Sequence, residues 1–244
     1  MRHTSLADLR TALESLAIPR NAVVMVHSSL FPFGVIEGGV EGVYDVLWGV
    51  LGGNTTLVMP AFTWDTTDWH YDKPSQVGAL TEYHRQRGVR TVHPFHSVSV
   101  VGPFAGEFAK CDCLTSWGLG SPFTLLRDLD AYNLSVGALF VGGATFLHTV
   151  EEELQVPYRR FKPFPWKVYG PNGLDPRPFG SYARLIADQY EYVGNWDHVD
   201  LPCRSTTLNG APLTVWHIPT ALDVLRKRIL ADPFYVARVI HKGD

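Results

Sequence analysis

Cysteine is scarce in this chain, which carries only Cys111, Cys113 and Cys203. An odd set that includes a Cys-x-Cys builds neither a secreted disulfide framework nor a four-ligand zinc knuckle, so a reducing cytoplasm is the expected compartment. Charge of one sign is missing too. With 21 basic against 24 acidic residues and a net charge of -3, no global positive field exists to hold nucleic acid or an anionic membrane, and neither is expected as a partner. Long apolar runs are also absent: the longest, residues 137–147, is far too short to span a bilayer, and residues 1–10 lack the apolar stretch of a signal peptide. No internal repeat, low-complexity run or charge block divides the chain, so one domain over residues 1–244 is expected.

What is there reads as an ordinary globular protein, 45% hydrophobic and 18% charged, long enough to bury its own core without covalent staples. Ser5 can cap a helix whose Leu6, Leu9, Leu13 and Leu16 share one face. Residues 21–27 then read as a buried strand running into His27-Ser28-Ser29, and Gly38-Gly39 opens a second helix that Gly52-Gly53 closes before another buried strand at 55–59. Strand, helix and strand at this spacing make a crossover unit, which pairs its strands in parallel with helices on the sheet faces. Farther on, 78–87 reads as helix, 98–101 and 135–142 as strands, and 148–155 as a helix stopped by Pro157. The proline-rich 163–178 reads as an extended excursion and 181–191 as helix. Asn209-Gly210 marks a hairpin between 206–208 and 213–218, and a last helix runs from Pro219 through Ile229. The expected fold is therefore α/β, a three-layer sandwich with a mixed, largely parallel sheet between helices and a C-terminal antiparallel hairpin.

Chemistry-bearing side chains gather in four stretches: Val26-His27-Ser28-Ser29-Leu30, Met59-Pro60-Ala61-Phe62-Thr63-Trp64-Asp65, Arg90-Thr91-Val92-His93-Pro94-Phe95-His96-Ser97, and Thr145-Phe146-Leu147-His148-Thr149-Val150-Glu151. Each alone is weak, because a histidine beside a strand is more often a structural hydrogen-bonder. Three of them follow directly on predicted parallel strands, where open α/β sheets collect their ligands. In this order the four stretches, with Gly120-Ser121-Pro122, resemble the aminoglycoside 3-N-acetyltransferase family, in which a His-Ser-Ser-Leu turn, a Met-Pro loop, an Arg-Ser-x-His-Pro-x-x-Ser segment and a Thr-x-x-His-x-x-Glu helix start recur. Thr91 stands where that pattern has serine, and the likeness runs from about Val24 to Arg160.

The resemblance implies transfer of an acetyl group from acetyl-coenzyme A to a primary amine, and the residues agree with it. An alkyl ammonium has no lone pair until a base of near-neutral pKa removes a proton. His148 is suited to that task, and Glu151, three residues on along a helix, to holding its imidazole and stabilising the imidazolium. The competing reading has His148 capping its own helix beside solvated carboxylates. Ser28, Ser29, Thr91, His93 and Ser97 supply the hydroxyls and the donor expected around the pantetheine arm and diphosphate. Trp64, Asp65 and Glu152 are the residues expected at a cationic acceptor. The acceptor expected is a small-molecule amine, an amino sugar or sugar nucleotide. A drug aminoglycoside is the alternative: a polycation calls for several carboxylates, and the 61–77 loop offers Asp65, Asp68 and Asp72 but adds the aromatic rings of Phe62, Trp64, Trp69 and Tyr71, which suit a sugar carrying one amine. A metal-dependent hydrolase is the remaining rival: His93, His96, Asp65 and His148 would have to converge, but Pro94 bars a helical His-x-x-His, and no metal is expected. A homodimer is left open.

Overall fold

The computed structural model describes residues 2–65, 67–138, 143–187 and 189–241. Its centre is a seven-stranded sheet. In spatial order the strands are Arg204–Leu208, Ala211–His217, Tyr132–Val136, Val23–Ser28, Thr56–Pro60, Val98–Val101 and Val89–Arg90. Val23–Ser28 pairs in parallel with Thr56–Pro60 on one side and with Tyr132–Val136 on the other. All remaining pairings in this sheet are antiparallel. The sheet is thus mixed, with parallel pairing confined to its three central strands.

Alternation within Val23–Ser28 explains the layering. Val24 and Val26 pack with Leu9, Leu13, Leu47 and Leu51 on one side. Val23 and Met25 pack with Phe123, Phe146, Ile218 and Leu225 on the other. A strand apolar at every position is one covered on both faces, and successive side chains point to opposite layers. One covering layer holds the helices Leu6–Ser15, Gly39–Leu51 and Ala79–Arg85; the other holds Pro122–Asp128, His148–Glu153 and Ile218–Ala231. Ser5 accepts from the Asp8 amide at 3.1 Å and caps the first helix as expected.

Two differences from the sequence reading have physical causes. Residues 181–191 do not form the expected helix: Gly180–Arg184 is a strand paired antiparallel with Arg159–Pro163, and Tyr190–Gly194 pairs with Ala237–His241. The segment has helix-compatible residues, but long-range backbone pairing overrides that local preference, with Tyr182 turned into the core. The strand expected at 135–142 begins earlier, as Tyr132–Val136, and residues 139–142 lie outside the described residues. Pairing across Asn209-Gly210 continues through Pro212, which sits opposite Thr207. Gly137 (φ +70) closes the strand Tyr132–Val136 where an added Cβ would lie 2.4 Å from the Ser29 carbonyl oxygen. Only glycine permits that approach, and it brings the Ser28-Ser29 turn against the chain leaving the neighbouring strand.

Candidate active site

The three parallel strands end at the same edge of the sheet. Chain order runs from the middle strand to one neighbour and later to the other, the switch point at which open sheets leave a crevice. A cavity of about 320 Å³ lies there, lined by His27, Ser28, Pro60, Phe62, Trp64, Val77, Thr81, His96, Trp117, Thr145 and His148. His27 and Ser28 come from the end of the first strand, Pro60 and Phe62 from the second, and Thr145 and His148 from the connection that follows the third.

His148 opens the helix His148–Glu153, and its Nδ1 bonds Oε2 of Glu151, three residues on. The other carboxylate oxygen, Oε1, accepts from the Tyr158 hydroxyl at 2.8 Å and from Arg159 Nε at 2.9 Å. Arg159 is held by the Tyr182 carbonyl at 2.8 Å, so the strand pair Arg159–Pro163 and Gly180–Arg184 acts as a brace behind the histidine. Burial would raise the Glu151 carboxyl, but His148, Arg159 and Arg184 outweigh it and hold it at about 2. Glu151 is therefore ionised, and Nδ1 of His148 carries the proton it donates. A protonated Nδ1 cannot also accept from Arg159 Nη2 3.3 Å away; that guanidinium acts by its charge. Burial lowers the His148 pKa, and Arg159 and Arg184 add to that against the pull of Glu151. The ring is then neutral near pH 7, with Nε2 as its available lone pair.

Aromatic rings enclose this histidine. Trp117 lies 5.0 Å and Trp196 5.4 Å from it, centroid to centroid. His96 stacks obliquely on Trp117 at 4.4 Å and meets Phe62 and Trp64 edge-on. Its Nδ1 lies 2.7 Å from the Ser116 hydroxyl, and burial drives its pKa well below the ordinary value. Opposite, Nε2 of His27 lies 2.8 Å from the Thr145 hydroxyl.

Of the residues picked from the sequence, His148, Ser28 and Trp64 line the cavity. Glu151 supports it from beneath, and Ser29 follows Ser28 with its amide on the Val136 carbonyl at 2.9 Å. Thr91, His93 and Ser97 are buried with their polar atoms engaged elsewhere. The Thr91 hydroxyl accepts from the Val98 amide at 2.9 Å. His93 accepts at Nδ1 from the Phe95 and His96 amides and donates from Nε2 to the Gly180 carbonyl. Ser97 donates to the Ala61 carbonyl and accepts from Arg90 Nε. These three shape the loops around the cavity. Asp65 is engaged by Lys73 and Gln76. Glu152 turns away to accept from Thr115, and burial pushes its carboxyl up.

The sequence reading missed Thr145, Trp117 and the brace of Tyr158 and Arg159. Thr145 had a usable signal, since it lies in the same strand-following stretch as His148. Trp117 had none, because Ser116-Trp117-Gly118 has no periodicity. Among the described residues no group of three or more His, Cys, Asp or Glu side chains could hold a metal ion.

The model of the family described as aminoglycoside 3-N-acetyltransferase matches residues 25–229. The chain belongs to that family. It is accordingly an acetyl-coenzyme A-dependent acyltransferase that moves an acetyl group to an amine. A relative, aminoglycoside N(3)-acetyltransferase III of Acinetobacter baumannii, is 27% identical over 221 residues, covering 80% of this chain and 74% of that protein. Among solved structures, aminoglycoside acetyltransferase AAC(3)-Xa superposes with a TM-score of 0.77 at 21% identity, covering 93% of each chain. AAC-IIIb, solved as a binary complex with CoASH, gives 0.74 at 18% identity, covering 92% of this chain and 96% of that one.

Proposed function

We propose that this acetyltransferase acetylates the primary amine of an amino sugar or sugar nucleotide by direct transfer in a ternary complex, with His148 as the general base. The observation that carries the reading is the His148–Glu151 pair: one ring nitrogen is fixed by an ionised, braced carboxylate, and the ring itself lines the cavity. Nε2 takes a proton from the acceptor's ammonium, and the freed lone pair attacks the thioester carbonyl. As the C–S bond breaks, the new amide nitrogen gives up its second proton and coenzyme A leaves as the thiol, while Glu151 stabilises the imidazolium without receiving its proton. Acetyl-coenzyme A supplies the activated acetyl thioester. Ser28 and Thr81 offer hydroxyls to its pantetheine end, and the neighbour AAC-IIIb is likewise solved with CoASH. Ser29 extends the same turn; Thr91, His93 and Ser97 serve the cofactor by fixing the loops beside it. Three unpaired thiols and this cofactor fit a cytoplasmic enzyme.

Cavity chemistry supports the choice of acceptor. Among the described lining residues there is no carboxylate, whereas Phe62, Trp64 and Trp117 present ring faces and edges. Two of the three loop acids are already engaged: Asp65 by Lys73 and Gln76, and Asp68 by the Lys167 amide at 2.9 Å. Each desolvated ammonium of a polycation would need its own partner, but a single amine on a sugar ring needs only the base and an aromatic wall. Trp64 is that wall; Asp65 and Glu152 contribute by holding the segments that carry Trp64 and Trp117. The relatives' names favour the second reading, a drug aminoglycoside as acceptor. Steady-state kinetics on both acceptor classes separates the two. The proposal expects a higher kcat/KM for amino sugars. An antibiotic at about 10⁴ M⁻¹s⁻¹ or above, with amino sugars inactive, would overturn it.

A further inference from the structure

A second histidine shares the cavity with His148, and the general-base mechanism leaves it without a task. His27 is 3% exposed, lies at the end of the central strand, and bonds the Thr145 hydroxyl through Nε2 at 2.8 Å. Which atom donates there is set one layer deeper. Asn133, fully buried on the neighbouring strand Tyr132–Val136, directs Nδ2 to the Gly143 carbonyl at 2.5 Å. A carbonyl only accepts, so the amide cannot be reversed, and its Oδ1 must point the other way. Asn133 Oδ1 and His27 Nδ1 are both buried, and neither has a hydrogen-bond partner among the described residues. Asn133 lies on the strand paired beside His27, opposite Met25, and its side chain acts on the ring from the side away from Thr145. The two atoms satisfy each other only if Nδ1 carries the proton, because two facing lone pairs would leave two unpaired acceptors in the core.

The consequence passes outward. With its proton on Nδ1, His27 offers a bare Nε2, and the Thr145 hydroxyl spends its single proton on it. Thr145 then has only lone pairs to present to the cavity. We propose that Asn133 and His27 are positioning residues that hold the Thr145 hydroxyl as a fixed acceptor for an N–H of the incoming amine. Thr145 sits three residues before His148 on the same connection, so the amine meets two acceptors at once. His148 Nε2 removes one proton and Thr145 retains a second N–H, which fixes the direction of the freed lone pair. Burial lowers the His27 pKa to about 4, so the ring stays neutral and the arrangement holds through the physiological range. The same logic excludes Thr145 as a hydrogen-bond donor to a developing oxyanion.

The inference rests on the amine-acetyltransferase reading, and its test separates the two. In the full-length protein with ¹⁵N-labelled histidine, His27 is assigned by difference with His27→Gln. Long-range ¹H–¹⁵N correlation between pH 6 and 8 is expected to show a protonated Nδ1 and a bare Nε2. A proton on Nε2 would overturn the proposal whatever the enzyme's activity. In kinetics, Thr145→Val is expected to lose about 10²-fold in kcat for the amine, the scale of a misdirected nucleophile. Its acetyl-coenzyme A affinity should be nearly unchanged, and Thr145→Ser should recover most of the rate. Full turnover in Thr145→Val would sink the inference while leaving the acetyltransferase reading intact. Wild-type protein that acetylates no amine would sink that reading and, with it, the role given to Thr145.

Discussion

Glu151 does most to decide what His148 can do. It is fully buried yet ionised because Arg159 and the Tyr158 hydroxyl bond one oxygen while His148 bonds the other. Glu151→Gln keeps the shape but removes the charge that stabilises an imidazolium, so kcat should fall by about 10² or more with acetyl-coenzyme A affinity retained. Unchanged kcat in that variant would show that the pair is only structural. The pH profile of the wild type carries a second mark. As the proposed base, His148 must be neutral, so the rate is expected to be lost as pH falls through its pKa, and burial has moved that pKa down. The acid limb of kcat, read in the complex, should therefore lie below the ordinary imidazole value of about 6.5; a limb above it would contradict the geometry. Both residues were legible in the sequence, because spacing of three on a helix start brings two side chains together. Their brace was not, since Arg159 comes from a strand whose pairing with residues 180–184 is long-range.

Among the elements, the 60–77 loop owes its form to one buried cation. Arg90 donates to the carbonyls of Ala61 (2.5 Å), Tyr71 (2.9 Å) and Lys73 (2.5 Å), and to Ser97 Oγ at 3.0 Å. Its guanidinium also lies 4.9 Å from the Trp69 ring centroid. One side chain thereby closes both ends of the segment that carries Phe62 and Trp64 to the cavity. Arg90→Met would leave those carbonyls unpaired in the interior, costing about 2–4 kcal/mol in unfolding free energy. It should also raise the acceptor KM more than it lowers kcat, because it disturbs a wall and not the base. Denaturant titration and steady-state kinetics check the two parts, and an unchanged KM would detach the loop from acceptor binding. In the sequence, Arg90 follows Arg85 and Arg87 closely at the end of a predicted helix. Nothing local distinguishes a buried anchor from a solvated face, and the distinction depends on where residues 61–73 return. The expected helix at 181–191 failed for the same reason: its strand partners lie at 159–163 and 237–241.

At the scale of the whole molecule, buried neutral histidines tie stability to pH. His27, His84 and His93 are each pushed by burial to about 4, against about 6.5 when unfolded. Between those values these three rings hold, in the unfolded chain, three protons that they lack in the native state. Stability is therefore level above pH 6.5 and falls as pH drops toward 4, with a slope of about 4 kcal/mol per pH unit. Denaturant midpoints between pH 7 and 5 should drop steeply; a flat profile would show that these rings titrate normally. The parallel centre of the sheet was readable from apolar strands flanking a glycine-bounded helix, and with it the edge where the cavity would open. The antiparallel flanks were not readable, because half-covered strands such as 89–90 and 204–208 carry no continuous apolar run. The central claim is that amine and acetyl thioester meet in this one cavity and that the acetyl group passes directly between them. An initial-rate matrix varying acetyl-coenzyme A against the amine tests it most directly. Intersecting double-reciprocal lines are the predicted result, and parallel lines, the mark of an acetylated enzyme, would contradict it.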